Sequence, residues 1–273
     1  MHGWKGNRLR IDMTNRTYEV EPLSESYFKK WIGGRGFNSD VVYHETRQGM
    51  DALDPDNPLC FGSGALCGTF APLSGRTTVS ARSPMTCSLL GSSVHGHGDT
   101  NMGGAFGPMM KYAGYDQIIV KGKADDPTWI YIEDGKVLFK SAHDIWGLGA
   151  KKATIKIQEQ LHDPDVKVAL IGPAGENLVR FACIMNTFSA SGGRTGMGCV
   201  MGSKNLKAIA VRGTQPITIA NPTEFIKAAW ALREEIHNSP SAIRRRAEGE
   251  LWISSMSEMQ SASTRTKMFP PVI

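Results

Sequence analysis

The chain is organised around the segment Asp99-Thr-Asn-Met-Gly-Gly-Ala-Phe-Gly-Pro-Met-Met-Lys-Tyr-Ala-Gly-Tyr-Asp116. Its pattern predicts a glycine turn that opens into a short helix. Asn101 is the expected N-cap, since its side-chain oxygen can accept a hydrogen bond from an unpaired amide of the first turn. Pro108 stands early in the helix, where a missing amide hydrogen does least harm, and Gly114 is a natural stop. The predicted apolar side consists of Phe106, Met109, Met110 and Ala113.

The paired glycines of this segment fit two different roles. Gly103 and Gly104 have no Cβ, so a ligand can approach their backbone closely, and the free amides of a helix start attract anions. A tight turn in front of a core helix explains the same two glycines. A second glycine loop, Ser191-Gly-Gly-Arg-Thr-Gly-Met-Gly198, follows later in the chain and favours the ligand-binding interpretation.

One order of predicted elements occurs twice along the chain. It consists of a hairpin, a helix, two strands, a glycine loop and a helix. The hairpin turns are expected at Thr14–Arg16 and Glu133–Gly135. The first copy ends near Asp116 and the second near Lys207. We interpret this order as an internal duplication, and two such loops suit a ligand with two similar anionic ends.

Length and charge exclude several classes of protein. The chain has 273 residues and a formal charge of +5, enough for one large or two ordinary domains with a sizeable core. The basic triplet Arg244–Arg246 is expected to be an exposed helix face, and no mixture of aromatic and basic residues suggests nucleic-acid binding. The first residues lack the apolar core of a signal peptide, and no apolar run suits a membrane span, so we expect a cytoplasmic protein.

Cysteines and histidines form no metal-site motif in the sequence. The five cysteines include no Cys-x-x-Cys pair, which predicts free, mostly buried thiols in a reducing compartment. His95 and His97 alternate with glycines in a predicted loop and have no third ligand type nearby. The cysteines are Cys60, Cys67, Cys87, Cys183 and Cys199.

Two glycine patterns come close to nucleotide-binding motifs but miss them. The segment Gly62–Gly68 has the spacing Gly-x-Gly-x-x-x-Gly, and Pro72 interrupts the helix that a dinucleotide fingerprint needs. In Gly198–Lys204 the glycines are too close together for a P-loop, and the lysine follows serine. We therefore do not expect a nucleotide-binding fold.

Taken together, seven segments in order resemble the N-terminal domain of the aldehyde ferredoxin oxidoreductase family, the tungsten-pterin enzymes. The resemblance extends to about Gly213. It implies that residues 1–213 form a tungsten-bispterin-binding domain of class α+β, with two similar β-sheets and helices related by a pseudo-two-fold axis. Residues 214–273 would then begin an incomplete helical domain. The segments are Trp4-Lys-Gly-Asn-Arg-Leu-Arg, Gly33-Gly-Arg-Gly, Ser74-Gly-Arg-Thr, Asn101-Met-Gly-Gly-Ala-Phe-Gly, Lys111-Tyr-Ala-Gly-Tyr-Asp, Ile171-Gly-Pro-Ala-Gly-Glu-Asn and Gly202-Ser-Lys-Asn-Leu-Lys-Ala-Ile.

The resemblance also implies a cofactor and its ligands. A tungsten or molybdenum atom would be held by the dithiolenes of two pterins, without a ligand from the protein, and magnesium would bridge the pterin phosphates. Backbone carbonyls of Asn101 and Ser191 would bind that magnesium. Arg76 would contact a pterin phosphate, a role that suits a planar, permanently charged guanidinium. The alternative for Arg76 is an ordinary surface ion pair with a carboxylate.

The glycine loops would bring the backbone to the cofactor. Gly103, Gly104 and the loop with Gly192 and Gly193 are the implied contact positions. The family often has an arginine just before the second loop, where this chain has Ala190. Arg194 is the candidate substitute for that contact.

By resemblance, the domain serves an enzyme that oxidises aldehydes to carboxylic acids and passes electrons through a 4Fe-4S cluster to ferredoxin or another electron-transfer protein. The family's cluster cysteines and its proton-transfer residues would lie beyond Ile273, so no catalytic residue is expected among the 273 residues. The alternative is a truncated or split product, inactive alone, which at most binds pterin or a partner chain carrying the missing C-terminal domains.

Overall fold

The computed structural model describes residues 2–87, 95–188 and 190–248 of the chain. The chain divides into two compact units, Met1–Ala220 and Asn221–Ile273. Residues 249–273, the last part of the predicted incomplete helical domain, lie outside the described residues. None of the described helices is long and apolar enough to cross a membrane.

The first unit consists of two halves that contain similar helices and strands in a similar order. The first half contains β1 (Asn7–Asp12), β2 (Thr17–Pro22), α1 (Glu25–Trp31), α2 (Arg35–Glu45), β3 (Leu59–Ser63), β4 (Thr77–Cys87), β5 (His95–Met102), α3 (Phe106–Tyr112) and β6 (Gln117–Lys121). The second half contains β7 (Thr128–Glu133), β8 (Lys136–Ser141), α4 (Ala150–Leu161), β9 (Lys167–Leu170), α5 (Pro173–Glu176), β10 (Ile184–Asn186), β11 (Ala190–Gly192), α6 (Met197–Ser203) and β12 (Leu206–Arg212).

Each half forms a six-stranded mixed sheet, and the two sheets have the same topology. Their strand orders are β2-β1-β6-β3-β4-β5 and β8-β7-β12-β9-β10-β11. The parallel pairs are β1 with β6 and β7 with β12, and the other pairs are antiparallel. The predicted duplication and fold class are therefore confirmed. The last element of each copy is a strand, β6 or β12. Each copy therefore extends past the end that was predicted for it, near Asp116 or near Lys207.

The main core lies between the two sheets, and the helices that follow the glycine loops fill it. Helix α3 packs on β9 and β12 of the second sheet as well as on β3 of its own, and α6 packs on β3, β4 and β5 of the first sheet as well as on β12 of its own. Phe106 and Met110 of α3 are fully buried there, and each such side chain contributes roughly 1.5–3 kcal/mol. The edge strands β5 and β11 touch each other. This exchange of helices brings the two glycine loops side by side.

The segment before α3 differs from its prediction. Asn101 is not the N-cap, because it belongs to β5 and the helix begins only at Phe106. His95 and His97 also lie in β5 and not in a loop. The glycines that alternate with them suggested a loop, but Gly98 serves close packing, since a Cβ there would stand 2.6 Å from the Ser83 Cβ.

Other elements differ mainly in their bounds. The glycine-rich segment at residues 33–36 separates α1 from α2. Its last two residues already belong to α2, which begins at Arg35. Strand β10 is limited to Ile184–Asn186, because the preceding chain forms turns around α5. Ser24 caps α1, accepting a hydrogen bond from the Tyr27 amide at 3.2 Å.

The second unit is helical in its described part. Helix α7 spans Pro222–Asn238 and has no buried residue, and Asn221 caps it by accepting from the Glu224 amide. Pro240 does not end the helical region, since it opens α8 (Pro240–Glu248). The basic triplet at 244–246 is exposed on α8, as predicted.

Candidate cofactor-binding site

The two glycine loops begin at equivalent positions of the duplicated fold. Asn101 is the last residue but one of β5 and lies opposite Thr78, the second residue of β4. Ser191 is the last residue but one of β11 and lies opposite Met185, the second residue of β10. Both Asn101 and Ser191 are exposed. The residues implied as magnesium ligands are therefore topological counterparts.

The glycines of the two loops do not all have the same surroundings. A Cβ on Gly103 would meet nothing nearer than 3.9 Å, and one on Gly193 nothing nearer than 3.7 Å. Gly104 has a φ of +85° and would clash with Asn186 at 2.7 Å, and Gly192 would clash with Thr100 at 2.8 Å. Only Gly103 and Gly193 leave the backbone open, whereas Gly104 and Gly192 make room for side chains of this protein.

Contacts between the halves hold the loops next to each other. The side-chain amide of Asn186 donates to the Gly103 carbonyl. The Arg194 amide donates to Thr100 Oγ1 at 3.2 Å. Ser83 Oγ of β4 donates to the Thr195 carbonyl at 2.8 Å. The loops predicted to lie near each other are thus brought together, through residues that the sequence did not single out.

Arg76 lies at this junction. It immediately precedes β4, is exposed, and its Nη1 is 3.9 Å from where a Gly103 Cβ would stand. Within the described residues its guanidinium forms no hydrogen bond or ion pair, in contrast to Arg35, which pairs with Asp99 at 2.6 Å. The alternative of a surface ion pair therefore has no partner in the described part of the chain. A guanidinium kept free beside an open backbone suits an anionic ligand.

In the second half, the candidate arginine lies at a different position from that of Arg76 in the first half. Cys183 precedes β10 at the position that corresponds to Arg76. Arg194 instead lies within the second loop, is exposed, and its side chain forms no hydrogen bond or ion pair to the residues that the structure describes. Ala190, where the family often has an arginine, lies beside Gly103, with its Cβ 4.0 Å from a Cβ built there.

The histidines take no part in this site. His95 Nε2 lies 3.3 Å from the Asp51 carboxylate, and His97 Nε2 faces Ser39 Oγ at 3.3 Å. Burial lowers the pKa of His97. Across residues 2–87, 95–188 and 190–248, no three His, Cys, Asp or Glu side chains converge as a metal site. Cys60, Cys67, Cys183 and Cys199 are free thiols, and all but the half-buried Cys183 are buried, whereas the side chain of Cys87 lies outside the described residues.

A family model described as "Aldehyde ferredoxin oxidoreductase, N-terminal domain" matches residues 8–213. The chain belongs to this family. A tungsten-containing aldehyde ferredoxin oxidoreductase of Pyrococcus horikoshii is 40% identical over 242 residues, which cover 89% of this chain and 39% of the relative. The "Aliphatic sulfonate oxidoreductase, WOR-like subunit" of Pyrococcus furiosus is 31% identical, with 83% of this chain and 37% of the relative covered.

A solved structure shares the fold as well. It is the active site complex BamBC of benzoyl coenzyme A reductase in complex with 1,5-dienoyl-CoA, with a TM-score of 0.81 and 35% identity. The match covers 86% of this chain and 35% of that chain. This aldehyde ferredoxin oxidoreductase domain thus spans well under half of the relatives that it matches.

Two of the segments that this chain shares with the family are joined to each other and to the chain after β3 by buried polar contacts. Lys111 of α3 is fully buried, and its Nζ donates to the carbonyls of Gly64 at 3.0 Å and Ala65 at 3.1 Å. Asp116 accepts the amides of Lys5 and Gly6, each at 2.8 Å. Burial lowers the pKa of Lys111 and raises that of Asp116, while their separation of 3.9 Å favours both charged forms.

The segment that resembled a P-loop is also structural. Lys204 is buried, and its Nζ donates to the Pro55 carbonyl at 2.7 Å, so it cannot reach a phosphate. Burial lowers the pKa of Lys204 to about 7. Lys207 is buried too, and donates to Glu176 and to the Ile171 carbonyl. One signal of this role is visible in the sequence, since Lys204 lies just before the apolar strand β12 and Lys207 is the second residue of that strand.

Proposed function

We propose that residues 1–213 are the cofactor-binding domain of a tungsten-pterin oxidoreductase, followed from residue 214 by the start of a helical domain. The observation that carries this proposal is the pair of open backbone positions at Gly103 and Gly193. They follow equivalent strands and lie in loops held together by hydrogen bonds. The guanidinium of Arg76, which has no partner among the described residues, stands beside the first of them. Such a surface suits a ligand with two similar anionic ends.

Each predicted residue except Gly104 and Gly192, which make room for Asn186 and Thr100, has a definite task in this proposal. The carbonyls of Asn101 and Ser191 would bind a magnesium ion that accompanies the pterin phosphates, since magnesium prefers oxygen ligands. Arg76 binds a phosphate with two parallel hydrogen bonds. Gly103 and Gly193 let the backbone touch the cofactor. Arg194 supplies the charge that the family often places at position 190.

When bound, the metal and its two pterins supply the redox chemistry that oxidises an aldehyde to a carboxylic acid, with ferredoxin as acceptor through a 4Fe-4S cluster. The residues of this chain bind and orient that group, and tungsten is proposed over molybdenum because the relatives at 38–40% identity are named for it. The chain contains no Cys-x-x-Cys segment, so the cluster ligands would come from another segment or chain. A cytoplasmic location remains part of this proposal.

A second candidate is a split or truncated product that binds pterin or a partner chain and is inactive alone. Exposed apolar side chains favour it, because large apolar patches mark interaction surfaces. Phe70 and Leu73 are 77% and 85% exposed in the loop between β3 and β4. In the equivalent loop between β9 and β10, Phe181 is 70% exposed. Both loops flank the proposed cofactor surface.

The pterin and tungsten content of the protein tests the proposal. The chain is produced in a host supplied with tungstate and purified without oxygen. We expect two pterins for each tungsten, measured by fluorescence of the oxidised pterin and by elemental analysis. Protein without pterin, although folded, would refute the assignment of the glycine loops as a pterin site.

A further inference from the structure

Two buried polar side chains cross from one half of the duplicated fold to the glycine loop of the other. Asn186 belongs to β10 of the second half and is 2% exposed. Its amide donates to the Gly103 carbonyl of the first loop. Thr100 belongs to β5 of the first half and is 4% exposed. Its hydroxyl accepts the Arg194 amide of the second loop at 3.2 Å.

A glycine in each loop makes these crossings possible. The nearest atom to a Cβ on Gly104 would be Nδ2 of Asn186, at 2.7 Å. The nearest atom to a Cβ on Gly192 would be Cγ2 of Thr100, at 2.8 Å. Each loop therefore has a glycine at the position where the opposite half inserts a side chain. The arrangement is reciprocal, although the two inserted residues differ in type and in strand.

We propose that Asn186 and Thr100 are positioning residues that hold the two glycine loops as one unit. Each residue is anchored in a sheet strand of its own half, so neither loop can move without disturbing the other. Neither residue needs to touch the ligand, because both act through the backbone of Gly103 and Arg194. That this unit sets the spacing for a two-ended ligand rests on the proposed function.

The coupling is testable in the protein without any added ligand. Hydrogen exchange measured by mass spectrometry follows the loops at residues 102–106 and 193–197. Asn186→Leu removes the amide donor at similar volume, and Thr100→Val removes the hydroxyl at similar volume. We expect each substitution to speed exchange at least about threefold in both loops, including the loop that the changed residue does not bond.

Matched variants separate this coupling from a general loss of stability. Thr100→Ser keeps the hydroxyl and should exchange like the wild type. Thr128 is a buried threonine of β7 whose hydroxyl donates to the Asp126 carbonyl at 2.8 Å, so Thr128→Val is a control distant from the loops. Faster exchange confined to the loop that lost its own bond would overturn the proposal, as would equal effects of Thr128→Val. If Asn186→Leu fails to fold, the comparison of Thr100→Val with Thr100→Ser still tests the proposal.

Pterin content forms a separate arm. We expect bound pterin per chain to fall about fivefold in Thr100→Val and to remain high in Thr100→Ser and Thr128→Val. Unchanged pterin in Thr100→Val, despite loosened loops, would overturn the positioning role. If even the wild type binds no pterin, the proposed function fails, while the exchange result still decides whether the loops form one unit.

Discussion

Arg76 is the residue on which the proposed phosphate contact depends. Arg76→Ala should lower pterin retention about tenfold, because a charge-assisted, bidentate contact is lost. The fold should survive, since the side chain is exposed and has no partner in the part of the chain that the structure describes. Arg76→Lys should restore only part, because an ammonium lacks the planar fork. The measurement is pterin and tungsten per purified chain.

An exposed arginine elsewhere provides the control for this substitution. Arg47 pairs with Asp54 at 2.7 Å on the surface, and such pairs contribute little to stability. Arg47→Ala should therefore leave both pterin content and stability near the wild type. Wild-type pterin content in Arg76→Ala would show that Arg76 is not a cofactor ligand.

Lys204 predicts a particular dependence of stability on pH. Its pKa is about 7 in the folded protein and about 10.4 when unfolded, so the unfolded state binds more protons between these values. Relative to Lys204→Met, the free energy of unfolding of the wild type should therefore rise with pH above 7, by up to about 1.4 kcal/mol per pH unit. Urea unfolding at several pH values measures the difference.

An exposed lysine tests whether this effect is specific. Lys151 lies exposed on α4, so Lys151→Met is the matched surface variant for the same unfolding measurements. A wild-type curve parallel to that of Lys204→Met would mean that Lys204 keeps its proton throughout, and would contradict the expectation.

At the scale of the elements, the two adjacent glycines of the first loop should respond differently to alanine. In Gly104→Ala, the new methyl group would clash with Asn186 and the alanine would have to adopt a positive φ. The substitution should therefore destabilise the protein by about 1–3 kcal/mol. Gly103→Ala has room for a methyl group and should leave the melting temperature nearly unchanged, yet lower the pterin content because the methyl covers the open backbone. Thermal melts with pterin analysis distinguish the two. Equal melting temperatures for both variants would be inconsistent with the geometry.

Elements with local signals could be predicted from the sequence. The Ser24 cap of α1, the two hairpins and the apolar side of α3 all depend on residues close together in the chain. Strand β5 could not be recognised, because its glycines Gly96 and Gly98 make room for Thr86 and Ser83 of the neighbouring strand β4. Both loops and Arg76 were recognisable candidates, but Asn186 and Thr100 were not, since their partners lie in the other half.

For the whole molecule, we expect no aldehyde oxidation by this chain alone. The 273 residues contain no cysteine motif for an iron–sulfur cluster, so they provide no electron acceptor beside the proposed cofactor. An anaerobic assay with an aldehyde and a viologen dye measures this. The same preparation, analysed for pterin and tungsten, provides the control that a cofactor is present. Steady turnover by the chain would disprove the expectation.

The exchange of helices between the sheets has a consequence for the origin of the fold. Helix α3 buries part of its apolar side on β9 and β12 of the other half, and α6 buries part of its own on β3, β4 and β5. One copy of the repeat, standing alone, would leave that part of the apolar side in water. It could cover it only by associating with an identical copy about a two-fold axis, as isologous dimers do. The present chain has the packing of such a dimer, joined into one polypeptide by residues 122–127 between β6 and β7.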